Sequence, residues 1–271
     1  MTRVAHSRTE RENVPPSNPF PGTRPVGSRN EREAGLQVRE MFGRIAPRYD
    51  FLNHFLSASF DKLWRKRVAR RFVSILRNPD ARALDLCCGT GDLAFAFAKE
   101  SRRSRGASTA SLIATDFALP MLELAKRKNV ERGAGVSFLG ADALALPFTD
   151  SSFDLVSAAF GFRNLANYRS GLVEIRRVLR PGGKLAILEF CEPESGLLAA
   201  FYRFYFTCVL PKIGGVISGS GEAYSYLPRS VEKFPPPEVL RSWMVQAGFK
   251  NVEHERWTCG SVALHRAERD G

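Results

Sequence analysis

Leu84-Asp85-Leu86-Cys87-Cys88-Gly89-Thr90-Gly91-Asp92-Leu93-Ala94 joins one apolar run to another through a turn of small residues. The first run has the length of a buried strand, and the residues after Asp92 carry helical spacing. A strand, a tight loop and a helix follow. Gly89 and Gly91 let bare backbone approach whatever sits at the strand's carboxyl end. A glycine pair after a strand is a weak signal by itself. Two further acids strengthen it: Asp116 closes the apolar run 111–116, and Asp142 follows the run 136–140. If the strands are parallel neighbours, acids at three consecutive strand ends converge on the crevice where open α/β sheets bind ligands.

An acid about 20–30 residues beyond such a loop can accept both hydroxyl protons of a ribose. A dinucleotide site looks similar up to this point. Here, however, the G-x-G-x-x-G pattern is incomplete, and Asp92 sets an anion where a pyrophosphate needs the helix amides. A cationic cofactor without phosphate suits the loop better. Asp85 to Gly91 reads D-x-C-x-G-x-G, which resembles the E/D-x-G-x-G-x-G of class I methyltransferases, with Cys87 in the first glycine position. That resemblance implies S-adenosylmethionine as cofactor and an α/β, Rossmann-like fold: a seven-stranded, mostly parallel sheet with helices on both faces. Its cofactor residues map onto Asp85 at the head of the motif and onto Gly89, Thr90 and Gly91 along the methionine end. Asp116 would hold the ribose, and Asp142 and Ala143 would flank the adenine.

Composition agrees with one large domain plus extras, since 271 residues with 44% hydrophobic content bury a substantial core. The most apolar stretch, 197–217, is broken by Arg203, Pro211 and Lys212, which argues against a membrane span. The first 30 residues lack the apolar core of a signal peptide. Five cysteines, two of them adjacent, form no disulfide framework, and four scattered histidines suggest no metal site. A reducing cytoplasm is the expected setting.

Residues 1–32 are polar and rich in proline and arginine, and read as a disordered tail. An N-terminal helical cap is expected over 33–78, with helices at 33–45 and 62–77, the latter carrying Trp64, Val68, Phe72 and Ile75 on one face. The methyltransferase domain is expected over 79–267, with a solvated loop at 101–110 and a lid insertion at 196–234. Helix 237–247, strand 249–256 and a last strand near 257–265 complete it. Charge is uneven: residues 1–80 hold sixteen Lys/Arg against eight Asp/Glu, so most of the formal +12 lies there. Lys62, Arg65, Lys66, Arg67, Arg70 and Arg71 crowd one helix. That pattern fits an anionic membrane surface, nucleic acid, or simply a solvated basic face.

More specific segments narrow the family. Met41-Phe42-Gly43-Arg44-Ile45-Ala46-Pro47-Arg48-Tyr49-Asp50, Phe160-Gly161-Phe162-Arg163-Asn164, Leu188-Glu189-Phe190 and Tyr224-Ser225-Tyr226-Leu227-Pro228-Arg229 stand in order along the chain. Together they closely resemble the ubiquinone/menaquinone biosynthesis C-methyltransferases, over about residues 38–265. The resemblance implies methyl transfer to a ring carbon of a prenylated quinol, demethylmenaquinol ahead of a 2-methoxy-6-polyprenyl-benzoquinol or both, with a non-catalytic S-adenosylmethionine-binding subunit and an RNA methyltransferase as the remaining alternatives. It points to Arg163 as the group that stabilises quinolate charge and to Asn164 as the one that orients a ring oxygen. Tyr49 and Asp50 become candidates for closing over the cofactor or relaying a proton, and the aromatic stretch 201–206 for lining a prenyl groove. Ala159 stands at a cofactor-side position where relatives often carry serine. The expected partners are the quinol, a peripheral contact at the inner face of the membrane and a second copy in a homodimer; nucleic acid is not expected, and no RNA-binding module is visible.

Overall fold

The structure is a computed structural model that describes residues 22–56, 59–103, 109–193, 226 and 229–271, with side chains from 48 to 56 excepted. Seven strands form a single sheet: β1 (Arg82–Leu86), β2 (Ser111–Asp116), β3 (Ser137–Gly140), β4 (Phe153–Ala159), β5 (Leu179–Phe190), β6 (Phe249–Trp257) and β7 (Val262–Arg269). Their spatial order is β3-β2-β1-β4-β5-β7-β6, and only β7 runs antiparallel to its neighbours. The expected seven-stranded, mostly parallel sheet is therefore present. β1 pairs with β2 on one side and β4 on the other, so the direction of strand progression reverses there. Such a reversal opens a crevice at the carboxyl edge.

Alternation along the strands feeds two cores. Ala83 and Leu155 pack against α4 (Asp92–Ser101) through Leu93 and Phe97. Leu84, Leu86, Val156 and Ile187 pack against α6 (Tyr168–Val178) and α7 (Pro237–Gln246) through Leu172, Ile175, Leu240 and Met244. A sheet covered by helices on both faces needs apolar side chains at successive strand positions, and β1 and β4 read that way. In α6, buried Leu172, Ile175 and Val178 recur at helical spacing, and the Asn167 side chain caps the first turn by accepting from Ser170 N at 3.0 Å.

Helix α1 (Glu31–Leu56) lies against α5 (Leu119–Arg132): Ala46 packs on Ala118 and Met121, with Phe42 and Ile45 alongside. It is longer than the expected 33–45 and continues through Pro47. The basic helix divides into α2 (Phe60–Arg71) and α3 (Val73–Leu76), because the backbone leaves helical geometry at the buried Phe72. The last strand begins later than expected. Thr258, Cys259 and Gly260 take positive φ to turn the chain, and β7 starts at Val262 and runs past the expected domain end at 267.

The tail boundary also moves. Thr23 N donates to Leu165 O at 2.8 Å, and Arg24 donates to Ala166 O at 2.9 Å, so Thr23 and Arg24, expected in the tail, are held against the core. Of the expected lid, 229–232 is helical and Ser230, Val231 and Phe234 are buried. Residues 194–225, with the aromatic stretch 201–206, lie outside the described residues, as do 104–108 of the expected loop. No helix among the described residues is long and apolar enough to cross a membrane.

Candidate active site

At the end of β1 the chain must turn within five residues, and Cys87, Gly89 and Gly91 adopt φ of 50°, 55° and 90° to do so. Cys88 N donates to Thr115 O (3.0 Å), and Gly89 N to Asp116 Oδ2 (2.7 Å), which tie the loop to β2. Asp116 also accepts from Ala118 N through Oδ1 (2.8 Å). Each carboxylate oxygen is thus anchored by backbone and keeps acceptor capacity for a further donor. Two acceptors at carboxylate spacing match a vicinal diol. Burial raises the Asp116 pKa, opposed by its bonds to Ala118, Gly89 and Phe117 backbone.

The loop and Asp116 border a cavity of about 510 Å³ at the carboxyl edge of the sheet. Its other walls are Ala141 to Leu144 after β3, the turn Phe160, Gly161 and Asn164 after β4, and Leu36, Val38 and Phe42 of α1. Asp142 Oδ1 accepts from Leu144 N at 2.9 Å, which fixes the carboxylate across the cavity floor from α1. Of the residues expected at the cofactor, Gly89, Asp116, Asp142 and Ala143 line the cavity together.

Asp85, Thr90, Gly91 and Ala159 do not line it, and the first three shape the loop from behind. Thr90 is buried and accepts from Lys128 Nζ at 2.9 Å. A Cβ on Gly91 would sit 2.9 Å from the Phe95 ring, so this glycine faces the core. Asp92 is flanked by Arg65 and Lys128, each at 3.6 Å. Asp85 is 2% exposed and accepts from Ser157 Oγ at 3.0 Å, while its Oδ2 is buried with no close hydrogen-bond partner among the described residues. Burial pushes its pKa to about 7, with the Ser157 bond and Arg65 opposing. Burial and the carboxylates of Asp116 and Asp85 raise the Cys87 and Cys88 thiols well above their ordinary value, so neither is a ready nucleophile.

The β4 end is tightly built. Phe160 takes φ of 60°, an uncommon conformation for an aromatic residue and one that concentrates at functional sites. A Cβ on the following Gly161 would lie 2.4 Å from Cys87 Cβ, so the turn rests directly on the cofactor loop. Arg163 and Asn164 then point to different sides. Arg163 is 4% exposed; its guanidinium donates to Glu189 Oε2 (2.8 Å), to Phe160 O and to Ser230 Oγ (3.3 Å), and its own N–H donates to Glu189 Oε1 (3.0 Å). It does not line the cavity, contrary to the expectation that it faces substrate: the buried Glu189 needs a cation and draws the guanidinium inward.

Asn164 does line the cavity. Its Oδ1 accepts from the Tyr226 hydroxyl (3.0 Å), which is itself 3.1 Å from Thr23 Oγ1. Tyr226 thus holds the amide through its oxygen, and the donors Asn164 has to give are its two amide N–H groups. Tyr49 and Asp50 belong to the α1 backbone, and their side chains lie outside the described residues. The sequence reading missed Cys87 and Gly161 as touching partners, and Tyr226 and the α1 wall. Gly161 alone carried a legible signal, a glycine inside an aromatic turn.

The ubiE/COQ5 methyltransferase family model matches residues 28–269. A demethylmenaquinone methyltransferase of Thermus thermophilus is 50% identical over 229 residues, 84% of this chain and 100% of that protein. The protein named ubiquinone/menaquinone biosynthesis C-methyltransferase UbiE in Geotalea daltonii is 41% identical over 239 residues, covering 88% and 98%. Among solved structures, a SAM-dependent methyltransferase of Thermotoga maritima, described as a possible histamine N-methyltransferase, superposes with TM-score 0.59 at 19% identity, covering 86% and 100%. The cyclase SpnF superposes with TM-score 0.62 at 17% identity, covering 87% and 96%. A cyclase and a methyltransferase on one scaffold show that the likeness is one of fold; chemistry is argued from the site. By the span of the family match and the identity to its curated members, the chain belongs to the ubiE/COQ5 methyltransferase family.

Proposed function

We propose that the protein methylates a ring carbon of a prenylated quinol with S-adenosylmethionine, and that demethylmenaquinol is the substrate, giving menaquinol. The observation that carries this reading is one cavity with Asp116 at one wall and the Asn164 amide at another, in a chain half identical to a demethylmenaquinone methyltransferase.

The residues present fit the cofactor. Asp116 has acceptor capacity for the ribose hydroxyls, Gly89 presents backbone to the cavity, and Asp142 and Ala143 form the far wall suited to adenine. When bound, the cofactor supplies an electrophilic sulfonium methyl. The protein's task is positioning: the ring carbon must stand in line with that methyl, with water excluded. Asn164 donates its amide N–H to a ring oxygen, which favours the quinolate character that makes the carbon nucleophilic. The Tyr226 hydroxyl keeps that amide from flipping. Arg163 acts one step back, holding the Phe160 carbonyl and the turn that carries Asn164. Tyr49 and Asp50 are proposed to close over the cofactor or receive the hydroxyl proton. No covalent enzyme intermediate is required.

The test is transfer of labelled methyl into two reduced substrates in parallel, a short-chain demethylmenaquinol and a 2-methoxy-6-prenyl-benzoquinol. Label in the naphthoquinol supports the reading. Label in both extends it to the double role that the Geotalea relative's name carries. Label in neither, with cofactor binding intact, overturns the substrate class.

A further inference from the structure

Helix α2 has two faces. Its inner face backs the site: the Trp64 ring lies 5.8 Å from Phe160, a cavity residue, and Arg65 sits 5.5 Å over the same ring. Trp64 Nε1 also donates to Thr258 Oγ1 at 2.8 Å, which ties the helix to the turn before β7.

The outer face is unusual. Phe60 and Leu63 are 47% and 52% exposed and stand one helical turn apart. Around them lie Lys62, Lys66, Arg67 and Arg70, all exposed. Arg71 is paired with Glu255 at 2.8 Å, and Arg67 lies 5.0 Å over the Trp257 ring. Lys62, Lys66 and Arg70 have no carboxylate partner among the described residues.

Beside Lys62 and Lys66 opens a cleft of about 460 Å³, which adds Lys99, Arg103 and Arg132 to the same surface. Its two acids are already engaged, Asp92 by Arg65 and Lys128, and Glu100 by Arg77 and Arg103. The local balance is strongly positive. A merely solvated basic face has no use for two large apolar side chains half exposed within it. Nucleic acid would satisfy the cations and leave Leu63 in water. An anionic bilayer surface satisfies both: apolar side chains enter the acyl boundary while ammonium groups meet phosphates.

We propose that the outer face of α2, with the adjoining basic cleft, docks the protein on a bilayer containing anionic phospholipid. One helix then stands between the bilayer and the cavity. This rests on the quinol reading only for its purpose, a substrate whose prenyl tail is held in lipid; the surface itself is argued from charge and exposure.

The test is co-sedimentation of the full chain with vesicles of phosphatidylglycerol in phosphatidylcholine, and with phosphatidylcholine alone. Binding to the anionic vesicles is expected to fall with salt. Lys62→Glu with Lys66→Glu should weaken it by roughly 25-fold or more, about fivefold for each basic residue. Leu63→Ser should weaken it without changing the salt slope. These variants should methylate a water-soluble short-chain quinol at the wild-type rate, because neither site touches the cavity. Wild type that binds vesicles but methylates no quinol leaves the docking surface standing and removes the substrate reading. Binding that is absent, or unchanged in the variants, overturns the proposal, as does charge-dependent retention on an RNA oligonucleotide with no vesicle binding.

Discussion

Asp116 performs two tasks with one carboxylate, holding Gly89 and Ala118 while keeping acceptors for a diol. Asp116→Ala removes both. Charge-assisted hydrogen bonds of this kind contribute about 1.5–3 kcal/mol each, so cofactor affinity should fall by roughly 100-fold or more, measured by calorimetry. Asp85 makes the opposite prediction about charge. Its carboxyl has a folded pKa of about 7 against an ordinary 3.8. An acid raised on folding contributes its full stability below the unfolded pKa and loses it as pH rises through the folded one. Relative to Asp85→Asn, which stays neutral, the wild type should therefore lose thermal stability between about pH 4 and pH 7. A melting-temperature difference that does not vary with pH would contradict this. Both acids were legible as strand-end residues, yet not the division between them. Asp116 ends its strand and looks into the cavity, whereas Asp85 sits one residue inside β1 opposite Ser157, a distinction of register that spacing alone cannot show.

Between elements, the contact that matters most is that of the β1 loop with the β4 turn. Cys87 stands where the class I methyltransferase pattern has glycine, at φ of 50°, against a Gly161 with no room for a Cβ. Cys87→Gly should relieve a positive-φ side chain and stabilise the protein by up to about 1 kcal/mol in thermal melts. Gly161→Ala should weaken cofactor binding by pushing the loop, and the double variant should recover part of that loss, since its new Cβ no longer meets Cys87 Cβ. Additive effects would mean the two elements are not coupled. The Arg163–Glu189 pair makes the same turn rigid from the other side. Arg163→Ala leaves a buried carboxylate uncompensated, at a cost of about 3–5 kcal/mol, and should lower melting temperature and turnover together. An arginine facing substrate would lose turnover alone. The sequence placed Arg163 and Asn164 together at the β4 end; which of two adjacent side chains turns inward depended on Glu189, a residue 26 positions away that no local pattern connects to it.

At the scale of the whole molecule, the order β3-β2-β1-β4-β5-β7-β6 brings the ends of β1, β2, β3 and β4 to one edge, and α1 covers that edge. The alternation of strands and helices along residues 82–190 was legible from apolar runs and turn residues, and the seven-stranded sheet from the class I methyltransferase resemblance; the strand order and the α1 wall were not. Less legible were the elements whose form depends on partners. Helix α1 outruns its own apolar period by packing on α5, Thr23 and Arg24 are held by hydrogen bonds to 165 and 166, and Tyr226 reaches Asn164 from a segment with no site role legible in the sequence. In the proposed function this assembly presents the Asn164 amide to a quinol beside a bound methyl donor. The most direct measurement pairs single-turnover methyl transfer to short-chain demethylmenaquinol with cofactor affinity, for wild type and Asn164→Ala. If Asn164 meets substrate and not cofactor, as proposed, the methylation rate falls about 100-fold with cofactor affinity changed less than about threefold. Methylation at the wild-type rate in Asn164→Ala, or loss of cofactor binding matching the loss of rate, would contradict the proposed role.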